Sequence, residues 1–536
     1  MNWTLQRKIF GFAEQPDYLD YFVGHNNLVW WRRSPSGMDD GRERTMLKKC
    51  FSAACATVTA AVSSAAVAQV LDQKDTKVAP SLAALSDEYL LLGDATRGAG
   101  EPMVAVDPTN PNNIIAVAMG NVQQIGGKAA MQNSTELYHS LPRSTITWLA
   151  VTHDGGASWK VGELPILSGN LTRCPDAFAD VTKDGTFIAG CEPRQTIDPD
   201  DFGMSAMMIS PDKGNSWGPV VQLVSDFQLN RFAPRLKPIS GAWPKGGKSA
   251  SNSPWDRPFT HIDDSTGVIY AEAAGGLTEV GAEPGKRRSQ AYVTASKDGG
   301  RSFGTIYSWD SPLWLQLSRG ISMSAGHGVV AVTYVASRVP ASEHATCPCA
   351  VLGLSRNLGR SFTYRVLRNV VVPPVGRGPQ PQNGVSRISI DGTKPGRIAL
   401  LQTDGPNELV SVSEDWGATW SPFVSAGTAP GSVATTKQAF EFSRNGVLGL
   451  MWRAIYPDQS YDIWASISRD GGHSFTKALR VSHARSPAFD PVRNGGRFGD
   501  DIQDLSMDAN NMHLVWGDSR AGFQAVFYGR VALSAF

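Results

Sequence analysis

The chain is short of cysteine, net charge and long apolar runs, and each shortage removes a class of function. Lys+Arg number 50 against 49 Asp+Glu in 536 residues. No basic run of the kind that grips a phosphate backbone occurs, so nucleic acid is not an expected partner. The stretch from Met46, "MLKKCFSAACATVTAAVSSAAVAQ", is too short and alanine-rich for a membrane span. Histidine is scarce at 9 residues and forms no paired cluster. No zinc-ligand spacing is present, and "DPTNPNN" from Asp107 needs only a turn, so neither metal nor cofactor is expected. "GISMSAGHG" lacks the flanking glycines of a serine-hydrolase elbow.

Two lysines, a moderately apolar stretch and Ala66-Val67-Ala68 before Gln69 have the layout of a secretory signal peptide cleaved after Ala68. Residues 1–45 then read as a non-native upstream extension, 46–68 as the signal peptide, 69–87 as a linker and 88–536 as the folded domain. The mature protein is expected to be secreted or periplasmic. Removing the 8 Lys+Arg and 6 Asp+Glu of residues 1–68 leaves 42 against 43, close to neutral. Cys174, Cys191, Cys347 and Cys349 remain, and export permits disulfides. Cys174 and Cys191 fall at the ends of one predicted hairpin and are the expected pair. Cys347-Pro348-Cys349 reads as a local bridge or as two thiols.

What the chain has in plenty is a repeated turn. "SRDGGHSF" from Ser468 is one of six copies of Ser/Thr, any, Asp, any, Gly, any, Ser/Thr, Trp/Phe. The third position holds Asp154, Asp212, Asp298, Asn357, Asp415 and Asp470. Copies start at 152, 210, 296, 355, 413 and 468. A period near sixty without helical periodicity points to repeated small sheets. Three strand-like runs precede each copy, such as "QAFEFS", "VLGLMWRA" and "YDIWASIS", and a fourth follows. Four strands per repeat predict an all-β fold, a β-propeller of four-stranded blades in which the octapeptide joins strands three and four. Its Asp accepts backbone N–H groups, its Gly supplies a positive φ, and its aromatic plugs the space between sheets.

These octapeptides resemble the Asp boxes of the sialidase and BNR-repeat superfamily, over about residue 88 to the end. After the sixth copy come three further strand runs without a box, "GDDIQDLSMD", "NMHLVWGDSR" and "QAVFYGRVAL". A fourth strand drawn from around Leu82 to Leu92 would close the ring. Seven blades is therefore the preferred count, and six, the sialidase number, the alternative. The long interval between the second and third copies reads as one blade plus the loop "SGAWPKGGKSASNSPWDRP".

Arginine recurs in the loops leading into the innermost strands or joining strands two and three. Arg173, Arg257, Arg319, Arg387, Arg453 and Arg497 form the expected anion-binding set, with Arg257, Arg319 and Arg387 at consecutive blades. Any one loop arginine can be merely solvated, but a ring of guanidinium groups matches a carboxylate ligand. The resemblance implies an arginine-held acidic sugar, a tyrosine nucleophile polarised by a glutamate, and an aspartate acid/base. The Arg-Ile-Pro element expected of sialidases near the first blade is absent; that region reads "RGAGEPMVAVDP". The candidate roles fall to Tyr456 or Tyr461 as nucleophile, Glu441 or Glu272 as its partner, and Asp256 as acid/base. The expected function is an exported, exo-acting glycoside hydrolase on an acidic terminal sugar. The alternatives are a non-catalytic propeller that binds glycan or protein, and a propeller polysaccharide lyase. Oligomeric state is left open.

Overall fold

The computed structural model describes residues 86–122, 145–167, 171–195, 204–225, 236–238, 255–279, 288–311, 313–316, 322–370, 372, 387–487 and 502–536. All lie in the compact unit Val70–Phe536. Residues 1–85, with the signal-peptide reading, fall outside the described residues, as do Arg319 and Arg497.

The strand runs fold into seven antiparallel blade sheets, each a four-stranded meander with one short extra strand on two of them, and Leu171–Arg173 pairs with Arg194–Gln195 in a separate two-stranded sheet. The innermost strands of blades 1 to 7 are Arg97–Val106, Phe178–Val181, Trp255–Asp263, Ser322–Gly326, Arg387–Ile390, Ala434–Phe442 and Asp504–Met507. Each adjoins the next, and the last adjoins the first. The ring is a seven-bladed β-propeller, which excludes six. Blade 7 is completed by Ser86–Leu92, whose Ser86 pairs with Val531 of the strand Ala525–Ala532. The chain therefore closes its ring with strands from both of its ends. Of the long interval before blade 3, only Leu236–Pro238 is described, paired to the end of the blade's second strand.

Seven apolar clusters fill the seven spaces between blades. The cluster between blades 5 and 6 holds Val410, Val412, Leu448, Leu450 and Trp452 and takes Phe475 at its edge. Trp159, Trp217, Phe303, Phe362 and Trp420 occupy the corresponding edges of five other spaces. The octapeptide's last residue thus packs between its own blade and the one before. Each fully buried aliphatic or phenyl side chain in these clusters stabilises the fold by roughly 1.5–3 kcal/mol.

All six octapeptides sit at the turn from third to fourth strand. The first hydroxyl donates to the third residue's Oδ1 at 2.7–3.0 Å. That oxygen also accepts the backbone N–H of the seventh residue at 2.8–3.0 Å. Asn357 keeps both bonds, but its Nδ2 donates to Ser361 Oγ at 2.8 Å, where an aspartate would accept. The glycine is left-handed in every copy, φ +96° at Gly472. The preceding residue is left-handed too, although it is Lys213, Leu358 or Trp416 in three copies.

The innermost strand of a blade has a free edge toward the axis, and its N–H groups need partners. Side chains of the preceding blade supply several. Ser322 Oγ and Ser324 Oγ accept from Ile388 N and Ile390 N, Ser389 Oγ accepts from Phe442 N, and Asp504 Oδ2 accepts from Val104 N at 3.1 Å.

Candidate functional site

The starts of the innermost strands mark the mouth of the axial channel, at the end opposite the octapeptide turns. A left-handed residue recurs there at equivalent positions: Glu101, Asp176, Arg257 and Lys437, with φ of 51–56°. At Glu101, Arg257 and Lys437 the strand is bulged, with two residues slipped out of register against its neighbour. Such bulges re-aim side chains at a rim. Four charged residues are thereby set around the mouth by one repeated backbone device.

Four residues further along, Asp176, Arg257 and Lys437 are followed by Asp180, His261 and Glu441. These three occupy one level of the channel in blades 2, 3 and 6, and Asp504 lies two residues nearer the mouth in blade 7, at the level of Arg387 in blade 5. The carboxyls feel one another. Burial lifts Asp180 to about 6, with Arg444, the Val181 N–H and His261 opposing and Asp264 adding repulsion. Burial, then the charges of Asp504 and Asp180, lifts Glu441 well above the usual range. Burial also lifts Asp504, despite N–H bonds from Val104 and Leu505 and attraction from Arg387. All three stay partly accessible because they face the axis. The surrounding protein nevertheless makes desolvation the leading cause of each shift.

Arginine sits above Asp180 and Glu441. Arg387 opens the innermost strand of blade 5, and its guanidinium is weakened first by burial and then by the nearby charge of Arg257. Asp504, Glu272 and Glu408 pull the other way. Two like charges from blades 3 and 5 thus share one mouth. Glu408 is fully buried on the third strand of blade 5 and accepts from Gln438 Nε2 at 2.9 Å. Burial raises it to about 7 against Gln438, Thr435 and Arg387.

The other end of the channel is crossed by Arg444. From the first turn of blade 6 its Nη2 donates to Val181 O of blade 2 at 2.7 Å, and its Nε donates to Asp264 Oδ2 of blade 3. Blades 2 and 3 are not neighbours of blade 6, so the side chain must span the axis.

The remaining sequence candidates are spread more widely. Tyr456, 5% exposed, has the Arg485 guanidinium 3.5 Å from its ring centre. Burial raises its hydroxyl first, and then Asp462. Tyr461 donates to Gly517 O at 2.9 Å beneath Arg453, which also donates to Gly517 O. Both tyrosines pack within blade 6 and its contact with blade 7. Glu272 is buried on the second strand of blade 3, with His261 Nε2 3.5 Å from its Oε1. Asp256 lies on the innermost strand of blade 3 beside Arg257. Arg173 is buried next to Cys174, which is bonded to Cys191. Sequence reasoning picked out Glu441 but passed over Asp180, Asp504, Glu408 and Arg444. A signal existed for one of these acids: Asp180 is a lone carboxylate inside the apolar strand "FADV".

Among the described residues no group of three His, Cys, Asp or Glu side chains could hold a metal ion. No helix among them is long and apolar enough to cross a membrane.

No family model and no curated protein matches the chain. Solved structures do. One is a protein of unknown function from Dyadobacter fermentans, 12% identical, covering 83% of this chain and 98% of its own, with a TM-score of 0.44. A Hadza microbial sialidase is 16% identical over 73% of this chain and 74% of its own, TM-score 0.40. An α-L-arabinofuranosidase from Fusarium graminearum is 11% identical over 67% of this chain and 92% of its own, TM-score 0.38. At such low identity and score, no side chain of this protein takes a role from any of them.

Proposed function

We propose that the protein is an exported, exo-acting glycoside hydrolase of sialidase type that removes an acidic terminal sugar. The observation that carries this reading is the placement of Arg257 and Arg387 at one mouth, above Glu441 and Asp180, whose proton affinity burial raises. A guanidinium fork fits a sugar carboxylate through two parallel hydrogen bonds, and two forks at one mouth offer such a carboxylate a matched seat. The glycosidic oxygen of a sugar so held points down the channel toward Glu441, Asp504 and Asp180. A neutral carboxyl there donates its proton to that oxygen as the C–O bond breaks. An ionised neighbour takes a proton from the water that adds to the anomeric carbon. A covalent route through Tyr456 would need its hydroxyl drawn away from Asp462, so displacement by water is preferred. The Cys174–Cys191 and Cys347–Cys349 bridges support an oxidising compartment.

The test is the purified chain against a fluorogenic sialoside and a panel of uronic-acid polysaccharides. Free sialic acid is the expected product. Arg387→Lys should raise KM by about tenfold or more, since an ammonium cannot copy the bidentate contact. Tyr456→Phe should leave turnover within about twofold; loss of activity would restore the tyrosine as nucleophile. A second reading, glycan binding without turnover, is favoured by the packing of both tyrosines. Saturable binding with no product would select it, and an unsaturated, absorbing product would mark a lyase.

A further inference from the structure

The two disulfides sit in opposite surroundings. Cys174 and Cys191 are fully buried in the cluster between blades 1 and 2. Cys347 and Cys349 lie where the loop from strand Val329–Arg338 enters strand Cys349–Ser355 of blade 4. Thr346 and Pro348 are exposed and Cys347 is half-buried, while Cys349 turns inward. We propose that Cys347–Cys349 is a thiol–disulfide exchange site, opened by a small-molecule thiol in the folded protein while Cys174–Cys191 stays closed.

Three observations support the asymmetry. Exchange requires a thiolate to reach a sulfur, and among the described cysteines only Cys347 offers one near solvent. A bridge spanning a single intervening residue closes so short a loop that it restrains the unfolded chain little, so the fold does not lean on it. The strand it borders is held independently. Residues 350–355 pair with 330–335 on one side, and Val351–Leu354 pair with Thr363–Val366 on the other. The loop is further tied by Arg368 Nη2 donating to Glu343 O at 2.5 Å.

The chemistry balances. A small thiolate attacks Cys347 Sγ, the Sγ–Sγ bond breaks, and its electron pair leaves on Cys349 Sγ, which takes a proton. A second thiolate attacks the mixed disulfide, frees Cys347 as a thiol and yields the oxidised small disulfide. The protein gains two electrons and two protons; two small thiols lose them. With the Cα atoms 4.4 Å apart, the released thiols stay together and the bridge re-forms when oxidised small disulfide is supplied.

The experiment incubates the folded, full chain with reduced glutathione, traps thiols with iodoacetamide and reads peptides by mass spectrometry. The expected result is label on Cys347 and Cys349, none on Cys174 or Cys191, and an unchanged near-ultraviolet circular dichroism spectrum. Oxidised glutathione should restore the bridge. A Cys347–Cys349 peptide that stays closed, simultaneous opening of both bridges, or two free thiols before any reductant is added would each overturn the proposal. Cys349→Ala gives an independent readout. Oxidised glutathione should cap Cys347 as a mixed disulfide, and an uncapped Cys347 would also overturn it.

Discussion

Aspartate appears in two settings in this molecule and behaves oppositely in each. In the octapeptide turns, Asp154, Asp212, Asp298 and Asp415 are held at about 2, chiefly by the hydroxyl of Ser158, Ser216, Ser302 or Thr419. Asp470 reaches about 2 as well: burial opposes, and Ser474 and Ser468 outweigh it. In the channel, Asp180 rises to about 6 because few donors meet a desolvated carboxyl. The two settings differ in donor supply. A turn surrounds its carboxylate with hydroxyl and amide hydrogens and stays near water. The channel surrounds its acids with other acids. The first arrangement fastens strands, and the second raises the proton affinity of carboxyls that face the channel.

The contrast can be broken most forcefully by exchanging the charge in each setting. Glu441→Gln should lower turnover by about a hundredfold or more, as loss of a general acid or base does, whereas Asp470→Asn should leave turnover intact. Asn357 already shows that the turn tolerates an amide. Equal loss in both variants would erase the distinction between fastener and channel acid.

Acidity sharpens it next. The turn carboxylates are depressed from 3.8 to about 2, so their stabilisation is full above about pH 4 and is lost as pH falls toward about 2. Asp180 is raised from 3.8 to about 6 and Glu408 from 4.5 to about 7. Their contribution is full below about pH 4 and is lost as pH rises through about 6 to 7. Melting temperature should therefore peak on the acid side, near pH 4 to 5, and decline gently toward pH 8. A maximum at pH 8 would mean that the channel acids are ionised and satisfied. The smallest effect concerns a single hydroxyl. Ser468 Oγ is buried, accepts from Gly472 N at 2.7 Å and donates to Asp470. Ser468→Ala should cost about 1 kcal/mol in chemical denaturation with no change in catalytic constants.

The architecture was readable because the octapeptide states its own turn. A hydroxyl, a carboxylate, a glycine and an aromatic at fixed offsets mean little elsewhere, and their spacing sets the blade length. Even the boxless seventh blade and its closure by residues before Leu92 followed from counting strand runs. The site was less readable, for two physical reasons. Asp180 and Asp504 are written into strands, where a lone acid looks like one solvated face of an alternating pattern until the ring turns that face toward the axis. Arg444 lies in a short turn and is important only through a reach across to blades 2 and 3, which no local pattern encodes. Tyr456 shows the converse: its sequence setting, a loop tyrosine near an aspartate, does not reveal that the Arg485 guanidinium lies over its ring.

Ser86–Leu92 carries a lesson about assembly. It is the fourth strand of a sheet whose other three strands lie at the far end of the sequence. During synthesis, the edge it will cover does not exist until almost every other strand has been made. The cylinder can shut only in its final act, so a chain cut short at Ala525 leaves an open, sticky crescent rather than a smaller wheel.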